Sequence, residues 1–138
     1  MQNTSIFVYG SLLFDEVIQA VTGKIFRSQK ALLDGYRRYM VMDGSLPRGY
    51  PGIVKQPGYT VLGKLLLQVD DQSQALLDIF EGKEYTRAIV DVLIDGKTIP
   101  AQSYIYNFPE NLDRYWTPQK FQEKHLSDFI SRISDRMR

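Results

Sequence analysis

Cysteine is absent from this 138-residue chain, and histidine and tryptophan occur once each. Without a thiol there is no cysteine nucleophile, no disulfide and no cysteine metal site. With His125 as the sole histidine, a His-rich metal centre and a Ser-His-Asp triad both lack their parts. An excess of charge of one sign is also missing. Seventeen basic and 16 acidic side chains leave a net charge of +1, which gives no broad electrostatic basis for binding nucleic acid or an anionic membrane. No apolar run approaches the ~20 residues of a membrane span. Residues 1–20 lack the layout of a signal peptide. The expectation is a cytoplasmic chain with no metal and no cofactor, whose chemistry rests on carboxylates, tyrosines and backbone.

What is present is an ordinary globular composition, 43% hydrophobic and 24% charged, with nine tyrosines. The length fits a single domain over residues 1–138, able to bury roughly 68% of its unfolded surface. Residues 4–9 predict a short buried strand ending at Gly10. Asp15 to Thr22 predicts a short helix with Val17, Ile18 and Val21 on one side and Gly23 as its stop. Residues 31–42 predict an extended segment. Asp43 to Gly52, dense in glycine and proline, predicts a loop. Strands follow at about 60–69, 87–94 and 98–106, the last two joined by an Asp95-Gly96 hairpin turn. Between residues 69 and 87 a helix is expected with Asp71 as cap, Gln74 at its third position, and Ala75, Leu76, Ile79 and Phe80 as its apolar side. The tail predicts one helix from the Thr117 cap and Pro118, with Leu126, Phe129, Ile130, Ile133 and Met137 at helical spacing. Strands joined mainly by hairpins and short helices give an α+β class, with a mixed or antiparallel sheet able to curl into a small barrel.

Two segments carry the chemistry. Phe7-Val8-Tyr9-Gly10-Ser11-Leu12 is an apolar run breaking into a small-residue turn, where free backbone N–H groups can hold an anion. Leu77-Asp78-Ile79-Phe80-Glu81-Gly82, followed by Tyr85 and Arg87, places a carboxylate just before a helix-ending glycine. At that position Glu81 faces the negative end of the helix dipole. Burial beside Phe80 acts the same way, so its pKa is expected to rise toward the range of an acid–base residue. The bland readings are an exposed helix-end glutamate, and a strand end with a helix cap at Gly10 and Ser11. Tyr9, Tyr85 and Tyr106 are candidates to line a pocket, whereas Arg87 suits an ion pair. Lys24, Arg27, Lys30, Arg37 and Arg38 suit solvated faces.

These residues in this order resemble the gamma-glutamylcyclotransferase-like family, in particular its plant-type, avirulence-induced-gene-like branch. Tyr9-Gly10-Ser11-Leu12 is similar to the N-terminal signature of that family, and Leu77 to Gly82 with Tyr85 and Arg87 to its second signature. Tyr50-Pro51-Gly52-Ile53 and Ser103-Tyr104-Ile105-Tyr106 fall in the expected order. The resemblance covers about residues 5–108, and the tail from Tyr115 to Phe129 resembles the C-terminal extension of the plant branch, here a helical extension over about 117–138. It implies a small β-barrel with flanking helices and release of 5-oxoproline from gamma-glutamyl amines or peptides without metal or cofactor. It also implies that Glu81 is the general acid and base, and that the Tyr9, Gly10, Ser11 and Leu12 backbone holds the amino-acid end of the substrate. The expected partner is that small molecule, with neither nucleic acid nor membrane. The leaving group and the oligomeric state stay open, with residues 44–53 and 107–116 as the expected walls that set the former.

A rival reading keeps the fold and pocket as a binding or regulatory protein without turnover, the C-terminal helix being its partner surface. A third, phosphate binding at Gly10-Ser11, is poor, because one glycine without a following lysine is not a phosphate loop.

Overall fold

A computed structural model describes residues 4–136, with side chains described through Ile133; Met137 of the expected helical stripe lies outside the described residues. Strand β1 (Thr4–Val8) is followed by a 3-10 turn (Ser11–Leu13) and helix α1 (Asp15–Thr22). The long strands β2 (Ser28–Asp43) and β3 (Leu46–Val69) come next, then α2 (Asp71–Glu81). Strands β4 (Tyr85–Ile94) and β5 (Lys97–Tyr106), the two-residue β6 (Leu112–Asp113), and helices α3 (Pro118–Lys124) and α4 (Leu126–Arg136) complete the order. The sheet runs β3-β1-β5-β4-β2, and β2 pairs again with β3, so five strands close into a barrel. Every pairing in that ring is antiparallel except β1 with β5. The expected α+β class with a small mixed barrel and flanking helices is the fold observed.

Alternation along β1 divides the core. Phe7 and Tyr9 point into the barrel with Leu33, Ile53, Val61, Leu65, Val90 and Val92. Ile6 and Val8 point outward, onto Val17, Ile18 and Val21 of α1, Leu77 of α2 and Phe121 of α3. A strand covered on both faces needs a continuous apolar run, which is what the sequence supplies there. Ser103, fully buried, is tolerated because its hydroxyl donates to the Phe7 carbonyl at 2.9 Å across the parallel pair.

The segment 43–52 is not a loop. Gly44 (φ +63°) turns the chain, and Leu46 to Lys55 pair back onto Tyr36 to Asp43, with Met40 opposite Pro51 and Tyr39 opposite Gly52. This arm of β3 pairs along one edge only, the position in which a strand tolerates proline. The Asp95-Gly96 turn is as expected, both residues having positive φ.

Helix α2 is capped one residue earlier than expected, by Asp70, whose carboxylate accepts from the Ser73 amide at 3.2 Å and pairs with Lys24 at 3.3 Å. Hydrogen bonding from Ser73 holds Asp70 down at about 2. The buried face of α2 is also rotated from the expected one. Ser73 and Leu77 are buried, Leu76 and Phe80 partly so, and Ile79 is 63% exposed. Continuing that stripe by one helical turn reaches Glu81, so a carboxylate occupies an inward-facing position.

The tail splits. Thr117 caps α3 through the Lys120 amide as expected, but His125 leaves the helical region (φ −128°, ψ −21°) before α4 begins. His125 therefore sits partly buried at a helix break. The break lets Phe121 pack on Trp116 and Phe14, while Phe129 on α4 packs edge-on against Phe121 and, at 5.8 Å, against Phe80 of α2. No helix of the described residues is long and apolar enough to cross a membrane.

Candidate active site

A cavity of about 430 Å³ opens where the turn after β1, the arm of β3, the end of α2 and helix α4 meet. Glu81 lies in its wall with Tyr9, Gly10, Ser11 and Tyr85, which brings five of the sequence-predicted residues together. The other two stand apart. Leu12 is buried in the core, and Tyr106 packs behind the wall, edge-on to Tyr85 at 5.2 Å.

Glu81 is the last residue of α2, and Gly82 reverses the chain at φ +69°, ψ −156°, a conformation open only to glycine. The side chain keeps some exposed surface, and that surface faces the cavity. No hydrogen bond or ion pair holds its carboxyl among the described residues. Burial raises its pKa from an ordinary 4.5 to about 8, with further contributions from the negative charges of Glu84 and Asp78.

The neighbouring carboxylates are tied down. Asp78 accepts from the Tyr104 hydroxyl at 2.6 Å and from Arg87 at 3.0 and 3.3 Å. Glu84 accepts from Tyr50, whose hydroxyl lies 3.0 Å from both its oxygens, and meets Arg48 at a loose 3.9 Å. Glu81 is thus the one of the three whose carboxyl is left to the cavity.

The turn opposite in sequence is held just as firmly. The Tyr9 hydroxyl donates to the Tyr104 carbonyl at 2.6 Å, while the Tyr9 carbonyl accepts from Arg38 at 2.8 Å. Arg38 is therefore not a solvated surface charge; it lies partly buried, 5.2 Å over the Trp116 ring, and burial lowers its pKa. Burial raises the phenols of Tyr9 and Tyr85 well above the usual range, so both are neutral donors. The Tyr85 hydroxyl donates to the Pro51 carbonyl at 2.6 Å, fixing the β3 arm across the cavity. Gly10 makes the close approach possible: a Cβ there would stand 2.8 Å from the Pro51 ring. The first amides of the 3-10 turn that follows have no acceptor within it.

Of the two segments expected to wall the pocket, 44–53 does so, through Arg48, Tyr50 and Pro51, as a strand arm rather than a loop. Nothing from 107–116 lines it; Phe129, Arg132 and Ile133 of α4 do so instead. The signal for α4 was its apolar spacing, which shows a buried face without saying what it covers. Among the described residues no group of three or more His, Asp or Glu side chains converges as a metal site.

Comparison with known proteins agrees with this architecture. Residues 6–123 match the model of the family described as gamma-glutamyl cyclotransferase, AIG2-like. AIG2-like protein D of Arabidopsis thaliana is 29% identical over 131 residues, covering 91% of this chain and 84% of that protein. A solution structure of an Arabidopsis thaliana protein superposes with a TM-score of 0.71 at 26% identity, covering 99% of this chain and 83% of the other. A solved gamma-glutamyl cyclotransferase shares the fold with a TM-score of 0.68 at 17% identity, over 95% of this chain and 99% of its own. A chain matched over these residues, with this barrel, belongs to the gamma-glutamyl cyclotransferase, AIG2-like family.

Proposed function

We propose that this protein is a gamma-glutamyl cyclotransferase that releases 5-oxoproline from a gamma-glutamyl amine or peptide, with Glu81 as general acid and base. The observation that carries the reading is a carboxyl raised to about 8, without a protein partner among the described residues, in a cavity shared with the Tyr9–Ser11 turn. The reaction is intramolecular. The substrate's α-amine attacks its own γ-carbonyl, a five-membered C–N bond forms, and the amide C–N bond to the leaving amine breaks. Two protons pass from the attacking nitrogen to the leaving nitrogen, which departs as an ammonium. Glu81 carries them in turn: its carboxylate takes a proton from the α-ammonium, and the resulting acid delivers it to the leaving amine. A pKa near the working pH suits both directions of that transfer.

The other residues hold geometry. In this reading the amides of Gly10 and Ser11, which border the cavity, receive the α-carboxylate or the developing oxyanion. Holding the chain curled contributes several kcal/mol in reactions of this kind. The ammonium of a bound substrate next to Glu81 favours the carboxylate, so binding itself lowers the raised pKa and prepares the base.

The test is 5-oxoproline release from a panel of gamma-glutamyl amines and dipeptides, wild type beside Glu81→Gln. The amide keeps the shape and cannot carry the proton, so turnover should fall at least about a thousandfold while folding is retained. Tight binding of panel members with no product from wild type would overturn the enzymatic reading in favour of a non-catalytic binding protein.

A further inference from the structure

We infer that Arg38 is a positioning residue of the active site. From behind the cavity wall it fixes and polarises the Tyr9–Gly10 peptide, so that the Gly10 amide holds the anionic part of a substrate more strongly. This role deepens the cyclotransferase reading of the cavity and rests on it.

Tyr9 lies beyond the last paired residues of β1, Val8 against β3 and Phe7 against β5, so its carbonyl is outside both ladders. Arg38 Nη1 donates to that carbonyl at 2.8 Å and, more loosely, to the Leu62 carbonyl at 3.3 Å. A carbonyl without a strand partner needs only a donor, and a neutral one would serve. The chain supplies a guanidinium instead, with no carboxylate partner among the described residues. Burial works against this charge, and the Trp116 ring, 5.2 Å away, offsets the effect only in part. A cation kept there without a counter-ion is more than the carbonyl requires.

The other end of the same peptide unit is the Gly10 N–H. In a trans peptide the two groups point in opposite directions, so the Gly10 amide faces away from Arg38. Gly10 lines the cavity with Glu81, and Arg38 does not. Among the described residues the Gly10 amide enters no turn or cap hydrogen bond, whereas the Gly10 carbonyl accepts from the Leu13 amide at 2.9 Å. A charged donor on the peptide oxygen draws electron density away from the nitrogen, which makes its N–H the stronger donor. Where water is excluded, hydrogen bonds in series reinforce one another in this way. The unit is also held in place. The Tyr9 hydroxyl is bound to the Tyr104 carbonyl, and the Trp116 indole beneath Arg38 donates to the Gly49 carbonyl of the β3 arm at 2.9 Å. Arg38 therefore acts on a bound anion through the peptide, without touching it.

The experiment compares wild type with Arg38→Lys, which keeps the charge, and Arg38→Met, which fills the space without charge or donor. Arg38→Gln replaces the methionine variant if that one does not fold. The Gly10 amide is followed by proton and nitrogen chemical shifts, alone and with gamma-glutamyl-ethylamine, in a Glu81→Gln background that leaves the compound intact. Turnover of the same compound is measured with Glu81 present, well below the unfolding midpoint of each protein. In the methionine variant the free Gly10 amide proton should move upfield, the shift on adding the compound should shrink, and kcat/KM should fall about tenfold or more. The lysine variant should keep most of all three. A Gly10 amide unmoved by the loss of Arg38, or a folded methionine variant with wild-type kcat/KM, overturns the inference and leaves the cyclotransferase reading intact. So does a lysine variant as impaired as the methionine one, since the charge would then play no part. If wild type turns nothing over, but the compound shifts the Gly10 amide and does so less without Arg38, the positioning role stands and the enzymatic reading falls. A compound that leaves the Gly10 amide of the Arg38 protein where it was overturns the inference, whatever the turnover.

Discussion

The Tyr104 hydroxyl on β5 donates to Asp78 Oδ1 on α2 at 2.6 Å, one helical turn before Glu81. The same strand residue offers its carbonyl to the Tyr9 hydroxyl at 2.6 Å, so one tyrosine ties the small-residue turn and the carboxylate helix to the barrel. Arg87, from β4, completes the hold on Asp78 at 3.0 Å. Tyr104→Phe should keep the ring and lose the bond to Asp78, costing about 1 kcal/mol of stability in urea denaturation. Because α2 would then be less well aimed, kcat should fall more than KM rises. Equal values of both constants for the variant and wild type would show that the contact has no part in positioning Glu81.

Asp78 also acts on Glu81 by charge, as one of the two carboxylates that help raise it. Asp78→Asn keeps the size and removes the charge, so the Glu81 pKa should move down from about 8. The shift is read from carboxyl carbon chemical shifts against pH. An unmoved titration would assign the elevation to burial and Glu84 alone.

Burial of Glu81 couples pH to stability. Its pKa is about 8 in the folded chain against an ordinary 4.5, so the folded chain binds this proton over an interval in which the unfolded chain has released it. The contribution is fully present below about 4.5, declines as pH rises, and is lost above about 8. Allowing for the opening of the cavity to solvent, the span is on the order of 2 kcal/mol. Glu81→Gln should flatten this part of the profile and be more stable than wild type at pH 9. Parallel profiles for the two proteins would mean that Glu81 titrates near its ordinary value.

Much of the barrel was legible because strand alternation and turn chemistry are local. Ile6 and Val8 against Phe7 and Tyr9, and Asp95-Gly96 between β4 and β5, carry their structural meaning within a few residues. Segment 43–52 misled because its prolines and glycines read as breakers, whereas pairing with β2 along one edge makes them compatible with a strand. Within the site, Glu81, Tyr9, Gly10, Ser11 and Tyr85 converge from two sequence signatures. Arg48 and Arg132 left no such trace, since a single arginine in a strand or on a polar helix face looks like any solvated charge. Tyr104 and Asp78 stood inside quoted segments, but their partnership is a tertiary contact between positions 26 residues apart.

Gly10 tests the packing behind the turn. A methyl group there would meet Pro51 Cγ at 2.8 Å and Cδ at 2.9 Å, closer than carbon atoms stand. Gly10→Ala should cost about 1–3 kcal/mol of stability and move the turn off the β3 arm, with turnover falling alongside. Pro51→Ala added to it should recover part of both losses, because the clash is with the proline ring. Additive losses in the double variant would place the strain elsewhere.

Helix α4 is the part of the wall whose role the sequence left open, and Phe129 is its anchor. The ring lies 5.3 Å from Phe121 and 5.8 Å from Phe80, both edge-on, so it joins the tail to the residue immediately before Glu81. Phe129→Ala should cost about 2 kcal/mol, less than a fully buried phenylalanine because the ring is only partly covered. The larger consequence is electrostatic. Loosening α4 admits water to the Glu81 carboxyl, and its pKa should drop from about 8 toward 4.5 as desolvation weakens. Phe129→Leu, which retains apolar cover, should keep most of the elevation. If alanine leaves the titration of Glu81 where it was while the helix loosens, α4 contributes stability to the fold and no tuning to the carboxyl.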